Sequence, residues 1–160
     1  MKASEIITEI GDSYFKWTAQ GKDYVFKNSK GIKYEVRFDS RRRIGKDSKE
    51  QSELSIVFVM LPKKSGQHAA GWKTGVGDEF KTFATVKQIV QHHLGKINLA
   101  NLDMVYFQAM ATEPSRVKLY NRFVPEVLKI LGPGWEYESE DATANLKTYR
   151  FKNINKLQNI

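Results

Sequence analysis

The chain has 160 residues, 41% of them hydrophobic and 28% charged, with no cysteine, a formal charge of +8 and a pI near 9.6. These values exclude a disulfide framework, a thiolate nucleophile and a thiolate metal site, and they fit a normal core within one domain spanning residues 1–160. No apolar run approaches the roughly 20 residues of a membrane span, and the first residues lack the apolar centre and cleavage site of a secretory leader, so a cytoplasmic protein without membrane contact is expected.

In chain order, Ile6, Ile7 and Ile10 have helical spacing before Gly11, which predicts a short amphipathic helix. Tyr14 to Ala19, Tyr24 to Lys27 and Ile32 to Phe38 are aromatic and β-branched, with turn residues at Gln20-Gly-Lys-Asp and Asn28-Ser-Lys-Gly, so an antiparallel meander follows. In the last of these strands Ile32, Tyr34, Val36 and Phe38 share one face and Lys33, Glu35 and Arg37 the other, as in a sheet with one wet side. Ser40 to Ser52 is almost without apolar residues and is expected to be a solvated loop. It carries Arg41, Arg42, Arg43, Lys46 and Lys49.

Leu54 to Leu61 is nearly continuous apolar sequence and reads as a central strand covered on both faces, ending at Pro62. Lys63 and Lys64 open a second basic connection, and Ala69 to Val76 has the composition of a further strand. A helix is predicted from about Phe80 to Leu94, because Phe83, Val86, Ile89 or Val90, and Leu94 recur at three- and four-residue steps and Gly95 is placed to end it. Met104 to Met110 reads as a buried strand. Pro114 suits a first helical position, Pro125 should kink that helix, and Gly132-Pro-Gly closes it before a hairpin of Trp135 to Glu138 and Leu146 to Phe151, with a turn over Glu140 to Asn145. The sum is an α+β domain with a mixed, mostly antiparallel sheet and helices packed on it.

The positive charge points to an anionic partner: CoA, nucleic acid or an acidic protein. If the two basic connections meet in space, Arg41, Arg42, Arg43, Lys46, Lys49, Lys63 and Lys64 form one patch able to track phosphates without sequence preference; otherwise they are solvated loops. On that reading the protein is a non-catalytic basic binding protein, either for nucleic acid or as a virion or assembly component.

The element order, with Gly75-Val-Gly77 before the first long helix, resembles the GNAT superfamily of acyl-CoA-dependent N-acetyltransferases over roughly Tyr24 to Phe151. The resemblance implies that Gly75, Val76 and Gly77 bind the pyrophosphate of acetyl-CoA or another acyl-CoA through backbone N–H groups at a helix N-terminus. Trp72 stands where the family has a basic or amide residue, and Asp78 and Glu79 follow the loop, where they also suit the helix dipole. In the next helix Leu119 and Tyr120 match the family's leucine-tyrosine pair, with Glu113 replacing an asparagine and Arg116 a small residue. Tyr120 is then the proton donor to the leaving thiolate, or else a half-buried aromatic of an amphipathic helix, and Arg116 must turn aside to pair with a phosphate or with Glu113. Phe83-Ala-Thr-Val and Ser115-Arg-Val-Lys-Leu-Tyr also look like small bacteriophage proteins, which implies a bacterial host's cytoplasm.

Metal chemistry finds no support in spacing. His92 and His93 are adjacent on a helix, about 100° apart, and suit the dipole at its C-terminus better than a shared ion. Glu136 and Glu138 share a strand face, where one could serve as a base toward an amine or both could be the solvated side of an edge hairpin.

Overall fold

The computed structural model describes residues 14–44, 48–61, 78–110, 114–142 and 146–155. The expected helix near Ile6 to Ile10 and the expected strand from Ala69 to Val76 lie outside these residues. Seven strands form one sheet: β1 Trp17–Gln20, β2 Asp23–Lys27, β3 Lys33–Ile44, β4 Glu50–Leu61, β5 Met104–Met110, β6 Trp135–Ala142 and β7 Leu146–Asn153. Their order is β1-β2-β3-β4-β5-β7-β6, with every neighbouring pair antiparallel except β4 and β5. Two helices, α1 Asp78–Lys96 and α2 Pro114–Leu131, complete the α+β fold, with the mixed, mostly antiparallel sheet expected from the sequence.

The alternation in β3 has the anticipated effect. Tyr34, Val36 and Phe38 are buried, and the same face continues across the sheet with Phe58, Ile56 and Leu54 in β4, Val105 and Phe107 in β5, and Phe151 and Tyr149 in β7. Against this face α1 lays Val86, Ile89, Val90 and Leu94, and α2 lays Tyr120, Phe123, Val127 and Leu131. Both helices lie on this one side. Lys87 ties them together, its Nζ 3.0 Å from Glu126, and that hydrogen bond holds the Glu126 carboxyl below its ordinary pKa.

Several boundaries differ from expectation for physical reasons. Ser40 to Ser52 is largely not a loop, because β3 and β4 pair out to Ile44 and Glu50, and cross-strand ion pairs Arg42–Glu50 (3.5 Å) and Arg43–Glu53 (3.9 Å) replace apolar contacts there. β4 is central but not covered equally, since Val57 and Val59 on the side away from the helices remain half-buried. Gly95 does not end α1, which runs on to Lys96. Pro125 does not interrupt α2; it lies on the exposed side, where a missing N–H is replaced most easily. α2 ends where expected, at Gly132, whose φ is 86 and whose N–H donates to the Leu128 carbonyl at 3.0 Å. β6 extends through Ala142, into the turn expected over Glu140 to Asn145, with a bulge at Glu138 between Tyr137 and Ser139, and Glu138 pairs with Lys152 at 2.9 Å.

His93 is not the exposed dipole partner suggested by its place near the end of α1. Its ring stacks on Phe38 with centroids 3.9 Å apart, and Nδ1 lies 2.9 Å from the Tyr24 hydroxyl. Burial, then Lys96 and His92, lower its pKa from the ordinary 6.5, so imidazole and tyrosine share that hydrogen bond as neutral groups. The unfolded chain therefore takes up this proton first. Its contribution is fully present above about pH 6.5 and is lost as pH falls below that value. Between about pH 7.5 and 5.5, above the carboxylate range, the urea midpoint of the wild type should fall by more than that of His93→Phe, which keeps the stacking and cannot titrate. Equal falls in the two proteins would show that His93 does not carry the dependence.

Candidate functional site

β4 and β5 are paired only from Glu53–Met104 to Ile56–Phe107. β4 then continues to Leu61 along β3, and β5 to Met110 along β7, with no further ladder between them. The other end of this seam is clamped. Asp103 donates its N–H to the Ser52 carbonyl (2.9 Å) and accepts the Ser52 N–H on Oδ2 (2.7 Å), while its own carbonyl takes the N–H of Asn153 (3.0 Å). Closed at Asp103 and open beyond Phe107, the two strands form a V in the middle of the sheet.

A helix that links parallel strands must run back antiparallel to them, so α1 starts at the open end of the V; α2, between β5 and the parallel-running β6, starts there too. Two helix N-termini thus bring partial positive charge to that end, a favourable setting for a phosphate or a developing thiolate. Below the V, Ile56, Phe58, Val86, Val90, Phe107, Tyr120, Phe123 and Val127 line a small apolar pocket of about 20 Å³. Tyr120 is 5% exposed and meets Phe107 and Tyr149 edge-on, with centroids 5.0 and 6.0 Å away. It is therefore more deeply buried than a half-buried helix aromatic.

Of the residues singled out in the sequence, Tyr120 is placed under the V. Gly75, Val76 and Gly77 precede α1 in the chain but lie outside the described residues, as do Lys46, Lys63 and Lys64; Arg116 is in the first turn of α2 with its side chain outside them. The structure brings Arg41 and Arg43 to the far side of the sheet, in an open groove of about 400 Å³ that Arg42 borders and that they share with Glu53, Met104, Tyr106, Gln108, Thr148 and Arg150; strand alternation turns the Arg42 side chain the other way, toward Glu50. Lys49 stands exposed just before β4. Tyr106, Gln108 and Arg150 carry no signal as site residues in the sequence, although alternation along β5 and β7 puts them opposite the buried Phe107 and Tyr149. Asn121 gives no such signal either; its Oδ1 accepts the Tyr149 hydroxyl at 2.8 Å and fixes β7 to α2 beside Tyr120.

Among the described residues there is no group of His, Asp or Glu able to hold a metal ion, and no helix is long and apolar enough to cross a membrane. Glu136 and Glu138 are exposed on edge strand β6, remote in the sheet order from the V.

No family model matches the sequence, and no curated protein does. Solved structures similar to it include a chimera of spermidine N-acetyltransferase SpeG from Vibrio cholerae and hSSAT, at 12% identity, covering 84% of this chain and 68% of that one with a TM-score of 0.37. Mutant forms of the spermidine/spermine N-acetyltransferase SpeG from Vibrio cholerae follow at 11% identity, 88% and 70% coverage and a TM-score of 0.36. A further SpeG mutant gives 12%, 97% and 76%, and 0.35. At such identities and scores the likeness carries no argument about function or substrate.

Proposed function

We propose that the protein is an acyl-CoA-dependent N-acyltransferase, or a descendant that keeps the acyl-CoA site without the activity. The observation that carries the reading is the V between β4 and β5, open at the end where α1 and α2 begin and floored by Tyr120. Gly75, Val76 and Gly77, which precede α1 in the chain, would offer backbone N–H groups to a pyrophosphate, and the unpaired stretches of β4 and β5 would offer main-chain partners to an amide-bearing arm. When bound, the acyl-CoA supplies an activated thioester. On this reading Tyr120, which lines the apolar pocket under the seam, holds a proton for the departing sulfur, while the helix N-termini stabilise the charge that develops there. Positioning does the rest, since an oriented amine attacks without a covalent protein intermediate. The bacteriophage likeness would place this activity in a bacterial host's cytoplasm.

Calorimetric titration with acetyl-CoA tests the reading. Saturable heat is expected, and at a hundredfold excess over Kd the cofactor should add about 2.7 kcal/mol of stability, visible as a raised Tm. Absence of both at millimolar acetyl-CoA would remove the acyl-CoA reading.

A further inference from the structure

The side of the sheet away from the helices carries chemistry that acyl transfer under the V does not use. Cross-strand pairing lines up Arg41 (β3), Glu53 (β4) and Met104 (β5) in one row, and Tyr106 (β5) with Arg150 (β7) in the next. Arg43 lies further along the β3–β4 ribbon, 3.9 Å from Glu53, and Gln108 donates Nε2–H to the Thr148 hydroxyl at 3.2 Å on the opposite flank. Glu53 is buried, and it is the one carboxylate among the described residues that line the groove. The three guanidinium groups of Arg41, Arg43 and Arg150 stand against it, leaving the groove positive.

We propose that this groove binds a nucleotide unit, its phosphate between the arginines and its base on Tyr106. The volume of about 400 Å³ suits a ligand of that size. Tyr106 is half-buried in the middle of a sheet with cations around it, which is the arrangement in which a base stacks while its phosphate is held electrostatically. Gln108 and Thr148 add donors and acceptors for a base edge. A polyamine would meet like charge here, and a simple acidic peptide would make no use of the aromatic floor. The same chemistry is presented by a free nucleotide and by a single strand of nucleic acid, and the site stands independently of the acyl-CoA reading.

The test titrates the full chain with a labelled oligothymidylate and the corresponding RNA across a salt series, and with AMP by calorimetry. Binding to at least one probe is expected, with Arg41→Gln/Arg43→Gln weakening it. For a strand, that double variant should also lower the slope of log affinity against log salt by about 0.7 for each phosphate left without its arginine. Tyr106→Leu should weaken binding roughly tenfold with little change in slope, because stacking releases no counterions. Lys129→Gln, exposed on α2, should change neither. AMP binding with these sensitivities and no strand binding identifies the free nucleotide as the source; the converse identifies nucleic acid. No binding of any probe at low salt overturns the proposal, and so does binding that Lys129→Gln weakens as much as the double variant while Tyr106→Leu leaves it intact. Heat from acetyl-CoA that Tyr106→Leu does not alter would keep the two sites separate, so either reading can fail alone.

Discussion

Replacing Phe107 with alanine is expected to destabilise the protein by about 3–5 kcal/mol, the largest effect of any single change proposed for this chain. Phe107 is 4% exposed on the helix side of β5, and its ring meets Tyr120, Phe123, Tyr149 and Phe151 at centroid distances of 5.0 to 6.4 Å. It touches the helix layer and a neighbouring strand at once, so no single neighbour can move to fill the space. The small cavity beside it already marks incomplete packing, and truncation would join the two voids, which favours the upper part of the range. Urea denaturation should show a lower midpoint with unchanged m. A loss below about 1.5 kcal/mol would mean that the floor of the V collapses around the deletion.

Tyr120→Phe separates catalysis from packing at the same place. The substitution keeps the ring against Phe107 and Tyr149 and removes only the hydroxyl, so stability should change by about 1 kcal/mol. If Tyr120 delivers the proton to the sulfur, the acyl-transfer rate should fall about a hundredfold or more, with acetyl-CoA affinity little altered. A variant transferring acyl groups at the wild-type rate would leave Tyr120 as a core aromatic and require another acid. Tyr120→Ala cannot make this distinction, because it opens the cavity and costs stability in its own right.

The strands and helices around the core are legible in the sequence because their signals are local. Tyr34, Val36 and Phe38 alternate with polar residues, and Val86, Val90 and Leu94 recur at helical steps, so each segment declares its buried face by itself. The outer half of the β3–β4 hairpin reads as loop because Arg41, Arg42 and Arg43 have no apolar period; what pairs Arg42 and Arg43 is Glu50 and Glu53 on the opposite strand. Tyr106 is hidden inside Met104-Val-Tyr-Phe, which reads as uniformly buried, although only Val105 and Phe107 turn toward the helices. The groove draws on β3, β4, β5 and β7, so no window of sequence contains it. Tyr120 is marked by a family motif alone, and the sequence does not tell its depth, which depends on β5 and β7 closing over it.

The short seam between β4 and β5 also bears on the order in which the chain can assemble. β1 to β4 form a meander whose partners are joined by brief turns, so this half can zip from the β3–β4 end with little loop to close. The seam instead joins residues about fifty positions apart, and its four residue pairs offer few hydrogen bonds in return for that closure. β5 is reached only through the connection that carries α1, and Asp103 at its start latches Ser52 and Asn153. On loop length alone the halves of the sheet are expected to meet late, with the seam beside the strand gap among the last joints formed.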